Sequence, residues 1–210
     1  MKDRIRKKRW ICILLALLLA GITTGILSEA KEGEIQKKIA GEVFRFHVIA
    51  NSDSDEDQAL KMLVKENVIA YMKQELPESD SASMTKSWVQ THLSEIEEVA
   101  VQTLRKEGCS DRVSAQVMEC YFPDKSYGDL TFPKGMYEAL RIEIGEAKGH
   151  NWWCVLYPNL CFIDAVHAIV PEEGKAELKE VLDTEEYEMV TATSKFKIKW
   201  FFLDLLGDKN

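Results

Sequence analysis

The sequence predicts an α/β fold: a single domain with a mixed central sheet of about four strands flanked by helices, set behind an N-terminal signal or anchor segment. Three observations carry that expectation. Residues 43–50, VFRFHVIA, alternate between two faces and are rich in β-forming side chains. Residues 51–58 switch to capping oxygens and carboxylates ahead of a helical stripe. Three more β-rich stretches follow between residues 113 and 157.

In chain order, the leader comes first. Lys2, Arg4, Arg6, Lys7, Lys8 and Arg9 precede an uncharged apolar run from Ile11 to Leu27, the pattern of an export signal or a short membrane anchor. As a helix its 17 residues would span about 26 Å of a roughly 30 Å hydrocarbon core, so cleaved and anchored forms are both open. Ser28 and Ala30 place small residues where cleavage after Ala30 needs them. The expected organisation is a signal peptide or anchor at 1–30, a linker at 31–42, a globular domain at 43–206 and a tail at 207–210.

In the first strand Phe44, Phe46, Val48 and Ala50 share one face, and Val43, Arg45, His47 and Ile49 share the other. Leu60, Val64, Val68, Tyr71 and Leu76 then recur at helical spacing behind the polar run 51–58, whose oxygens suit a helix start. Pro77 to Thr85 reads as a polar linker. Val89, Leu93, Ile96, Val99, Ala100 and Leu104 form the stripe of a second helix ending at Gly108. A two-helix crossover between the first strands is right-handed if they lie parallel.

Val113, Ala115 and Val117 alternate with polar positions up to Tyr121–Phe122–Pro123, and Pro133-Lys134-Gly135 turns into Met136, Leu140, Ile142 and Ile144, which gives two half-buried strands. Trp152–Tyr157 is apolar on both faces and is expected at the centre of the sheet. Helices are expected near Glu172–Leu182 and over Lys195–Leu206. The last is apolar nearly all round, either closing the core or presenting a docking surface.

The whole chain has 210 residues and a formal charge of −8. Loss of residues 1–30 removes six basic and two acidic side chains, a net of four positive charges, and so takes the charge to −12. A field of that sign repels phosphate backbones, so nucleic acid is excluded as a partner, and membrane contact is expected only through the N-terminal segment.

Candidate chemistry lies in three places. Asp53, Asp55 and Asp57 alternate like ligands for a hard cation, but a calcium loop needs glycine and glutamate where this chain has Gln58 and Val64; helix capping accounts for the carboxylates, and no metal or cofactor is assigned. Cys109, Cys120, Cys154 and Cys161 lie beyond the leader, which already contains Cys12. Four thiols allow three pairings, and none of the spacings is that of a structural zinc site. Pro158–Asn159 can turn the chain so that Cys154 meets Cys161, and closing that loop stabilises by about 2.5 kcal/mol on a chain-entropy estimate. A continuous strand would hold Cys109 and Cys120 roughly 20 Å or more apart, so they stay unassigned. The alternative is an exported thiol-dependent hydrolase acting on peptide or cell wall through Cys154, with His47, His150 or His167 as base beside Asn151 and Asp164.

Two blocks stand out together: RFHVIANSDSDEDQALKMLVKENV at 45–68 and YGDLTFPKGMYEALRIEIGEAKGHNWWCVLYPNLCFID at 127–164. Behind a basic, apolar leader they resemble the stage II sporulation protein R family of endospore-forming Firmicutes, over most of residues 43–165. The resemblance implies a signalling protein exported from the forespore into the space between two membranes. There it would activate the membrane-embedded aspartic protease that processes pro-sigma-E into the mother-cell factor. It would be a ligand and not an enzyme, with Asp53, Asp55, Asp57, Trp152 and Trp153 as candidate partner contacts.

Overall fold

The computed structural model describes residues 30–162, 170 and 172–191, together with positions 10, 15, 18–20, 22 and 23. Most of the expected leader, the expected helix Lys195–Leu206, and the residues Asp164 and His167 lie outside the described residues.

Residues 31–42, expected as a linker, belong to helix α1 (residues 30–42), because Ile35 and Ile39 sit one turn apart and both bury against the sheet. Strand β1 (Phe44–Ile49) follows directly. Helix α2 (Asp55–Glu75) starts where Ser54 accepts a hydrogen bond from the Asp57 amide at 3.1 Å, with Asp55, Glu56 and Asp57 in its first turn. The stripe expected as one helix is two, α3 (Ala82–Thr91) and α4 (Leu93–Lys106), broken at His92, whose ring stacks on Trp88 with centroids 4.1 Å apart. Gly108 ends α4 with φ +77°, a conformation that side chains disfavour.

The remaining strands are β2 (Val113–Phe122), β3 (Lys125–Tyr127), β4 (Leu130–Phe132), β5 (Gly135–Ile144) and β6 (Asn151–Tyr157), followed by a 3-10 turn at Leu160–Phe162, helix α5 (Glu172–Val181) and helix α6 (residues 184–191). The main sheet runs β2-β5-β1-β6 and is mixed: β5 is parallel to β1, whereas β2 and β6 are antiparallel to their neighbours. The helices therefore carry the chain from β1 to an antiparallel edge strand, and the parallel crossover envisaged between the first two strands does not arise. Strand β6 is also an edge strand and not a central one. Its double-sided burial comes from packing both above and below the sheet, which requires no neighbour along its edge.

The sheet separates two cores. On the first face Phe44, Phe46, Val48, Leu140, Ile142, Cys154 and Leu156 pack against α2, α3 and α4. On the second face Val43, Tyr137, Ala139 and Val155 meet α1, α5, Val190 of α6 and the β3–β4 hairpin. That hairpin, turning at Gly128–Asp129, escaped the sequence reading because each strand has only three residues, too few to display an alternation.

Candidate functional site

The loop after β1 and the loop between β5 and β6 are joined into one polar junction. Two backbone bonds sew them together: Lys148 donates to the Asn51 carbonyl at 3.1 Å and Gly149 to the Ala50 carbonyl at 2.9 Å. A Cβ on Gly149 would stand 2.1 Å from the Ser52 carbonyl oxygen, so only glycine allows this approach. Gly145, at φ +59°, similarly faces the Asn51 side chain, whose Oδ1 accepts from the Glu146 amide at 2.9 Å.

The acidic residues of the loop divide into two roles. Asp57 accepts from Asn51 Nδ2 at 3.0 Å and from the Ser52 hydroxyl, and these bonds, led by that of Ser52, hold its carboxyl below the ordinary range. Asp53 accepts from the backbone amide of His150 at 2.6 Å and sits 2.5 Å from its ring Nδ1; the ring contact and then the amide bond lower its pKa. Asp55 is exposed, in the first turn of α2. Beneath them the buried Lys61 donates to the His150 carbonyl at 3.1 Å and to Gln58 Oε1, and burial lowers its pKa against the opposing field of Asp53. Asp53 thus ties the two loops together, Asp57 braces the loop after β1 from within, and Asp55 projects from the result.

Trp152 and Trp153 lie on opposite faces, both half-buried. Trp152 packs edge-on to Phe46 at 5.6 Å, with Lys65 Nζ 5.4 Å from its ring. Trp153 stacks on His47 at 4.8 Å and meets Phe122 at 4.7 Å. Cys154 and Cys161 are joined by a disulfide, their Cα atoms 5.6 Å apart across the Pro158 turn. Cys109 and Cys120 are free thiols.

The second face also holds a charged residue whose role is not legible in the sequence. Arg45 is fully buried; it donates from Nε to the Cys154 carbonyl at 3.0 Å and from Nη2 to the Tyr127 hydroxyl at 2.9 Å. Its guanidinium carbon lies 4.3 Å from the Phe122 ring centre, 4.9 Å from Tyr137 and 5.3 Å from Phe132, a cage of cation–π contacts. The signal for it was Arg45 inside an apolar strand and aromatic residues recurring from Phe122 to Tyr137; the hairpin that closes the cage was the missing piece.

Beside it, His47 Nε2 is 3.5 Å from Cys120 Sγ. Burial raises the thiol's pKa, and burial, then Arg141 and Arg45, lower that of His47 to about 3. A thiol nucleophile needs the opposite charges, thiolate and imidazolium, so this pair rests in its unreactive neutral form. In the junction the Ser52 hydroxyl donates to Asp57 and not to His150, so the Asp53–His150 pair does not activate it.

These features define a mixed-sheet α/β domain in which Asp53 and the Cys154–Cys161 disulfide each tie separate stretches of the chain together. The comparisons with known proteins agree on which domain it is. Residues 40–167 match the family described as stage II sporulation protein R (spore_II_R). The chain is 32% identical to "Stage II sporulation protein R" of Bacillus subtilis (strain 168), over 93% of this chain and 97% of that relative. This chain belongs to the stage II sporulation protein R family. No solved structure matches it.

Proposed function

We propose that this protein is a secreted sporulation signal: exported from the forespore into the intermembrane space, it activates the membrane-embedded aspartic protease that converts pro-sigma-E into active mother-cell sigma-E. Family membership carries the reading. The site geometry supports a ligand and not an enzyme, because Cys154 is tied in a disulfide and the Cys120–His47 pair is neutral and buried. Activation by a ligand requires that it bind the active conformation of its receptor more tightly than the inactive one, and the shift in population equals that difference.

The exposed first turn of α2, with Asp55 at its tip, is the contact we assign to the receptor. Asp53 and Asp57 act behind it by fixing the loop, and Trp152 and Trp153 are half-buried. The test is maturation of sigma-E in sporulating cells, followed by blot of the pro-form. Deletion of the gene should leave pro-sigma-E unprocessed; Asp55→Lys should lower processing while the secreted protein accumulates normally. Full processing by Asp55→Lys would remove that turn from the interface, and full processing after deletion would overturn the signalling role. Processing by a Cys120→Ser protein at the normal level separates this reading from thiol hydrolysis.

A further inference from the structure

The two edges of the main sheet are finished differently. Strand β6 pairs with β1 through a register shift at Phe44–Arg45 and ends at the Pro158 turn, so its edge is interrupted. Strand β2 runs for 10 residues in unbroken register with β5, from Val113 opposite Ile144 to Phe122 opposite Gly135. It holds no proline, lysine or arginine, and its single charge is Glu119. Bulges, prolines and charges are what ordinarily stop an edge from pairing, and β2 lacks all but that one carboxylate.

Two bonds fix which way its backbone points. The Arg112 carbonyl accepts from the Gly145 amide at 2.8 Å, so the even-numbered positions hydrogen-bond inward to β5. The Ala115 amide donates outward instead, to the Glu97 carboxylate of α4 at 2.9 Å. Val117, Glu119 and Tyr121 therefore aim their amides and carbonyls outward, where none of the described residues pairs with them. Side chains along this stretch are open as well. Gln116 and Glu119 are exposed, and large apolar surface gathers beside them: Met118 is 37% exposed, Tyr121 56%, and Met136, opposite Tyr121 on β5, 45%.

We propose that β2 pairs antiparallel with the β2 strand of a second copy of this chain, joining the two main sheets into one across a twofold axis at Met118. In this register Val117 of each copy exchanges backbone hydrogen bonds with Glu119 of the other, and Met118 meets Met118 as the close, non-hydrogen-bonded pair between them. Charge favours a second copy as the occupant. Glu119 faces Val117 and not its own equivalent, so the one charge on the strand meets no like charge. The exposed Arg112, just before the strand, comes to the end of the other strand where the exposed Asp124 follows, and symmetry repeats that meeting of opposite charges. Moving the axis to Glu119 sets that carboxylate against itself, and moving it to Val117 calls on the Ala115 amide, which Glu97 already holds. The contact uses none of the residues assigned to the receptor and does not rest on family membership, so its failure would leave the signalling role as it stands.

The test is sedimentation equilibrium of the full-length chain in density-matched nonionic detergent over a range of concentrations. The protein mass should rise from one chain to two and no further, since a twofold contact closes on itself. Met118→Lys, an exposed substitution that sets lysine against lysine, should weaken the dimer about tenfold or more, as should Met118→Glu. Mixing the two variants should restore it, because each strand then meets its opposite charge. Glu119→Pro, which removes an outward amide and leaves the ladder to β5 intact, should also abolish the dimer, and it serves if a Met118 variant misfolds. A single-chain mass at every concentration would overturn the pairing and leave the edge to a strand of a different protein or to solvent. Dimers unchanged by Met118→Lys, as contact through the leader would give, or no restoration on mixing, would overturn it equally.

Discussion

The two faces of β1 differ in how they are held. Toward the helices, Phe44, Phe46 and Val48 bury apolar surface and nothing else. Toward the hairpin, Arg45 and His47 are buried just as deeply, at 0% and 2% exposure, and must be accommodated by aromatic faces, one carbonyl, one hydroxyl and one thiol. The first face tolerates any well-packed apolar set; the second fixes where specific partners stand. A strand can thus serve packing on one side and placement on the other, and the two sides should fail differently.

Acid breaks the comparison most sharply. His47 is kept neutral down to about pH 3 in the folded protein, whereas an unfolded imidazole titrates near 6.5, so the unfolded chain binds more protons across that window. The stability it confers is whole above pH 6.5 and is lost as the pH falls toward 3, a total on the order of 5 kcal/mol from the size of the shift. Acid titration of unfolding free energy should show that slope, and His47→Gln should flatten it; an equal slope in the variant would place the loss elsewhere. Below pH 4 Asp53 and Asp57 add to it in the same direction, since their lowered pKa values mean stability present above the unfolded value and lost beneath it.

On the helical face, Phe46→Ala should cost about 3–5 kcal/mol in urea unfolding, by lost burial plus a cavity. Arg45→Met should cost less, because an apolar side chain enters a ring of aromatics and leaves only the Tyr127 hydroxyl and the Cys154 carbonyl short of a donor. Equal losses for the two would erase the distinction between the faces. The joint Cys154→Ser and Cys161→Ser protein should lose about 2.5 kcal/mol, seen as a lower Tm. Smallest is Gly149→Ala, about 1–2 kcal/mol of overpacking against the Ser52 carbonyl. It should also expose the Gly149 amide to faster hydrogen exchange, which reports directly on the junction.

The first strand, the start of α2 and the strands β2 and β5 were legible because each combines a clear period with a capping or turn signal. Where that combination is missing, periodicity misplaces the element. Residues 30–42 look polar in sequence, and only contact with the sheet makes Ile35 and Ile39 a buried stripe. The Trp152–Tyr157 stretch is apolar on both sides, which reveals burial above and below but says nothing of neighbours along the hydrogen-bonding edge. Of the site, the proximity of Cys154 to Cys161 follows from a short loop and a turn. The division of labour among Asp53, Asp55 and Asp57 does not, since it depends on His150, 97 residues further along, donating to Asp53.

By itself the sequence determined the α/β class, the faces of β1, the entry into α2 and the blocks that carry the family likeness, all of which depend on neighbours within a few residues. Tertiary structure alone decided that those two blocks form one junction, that β6 lies at an edge, and that Arg45, His47 and Arg141 share a face. Strand order and long-range hydrogen bonds join residues about a hundred positions apart, and periodicity cannot carry information across that distance.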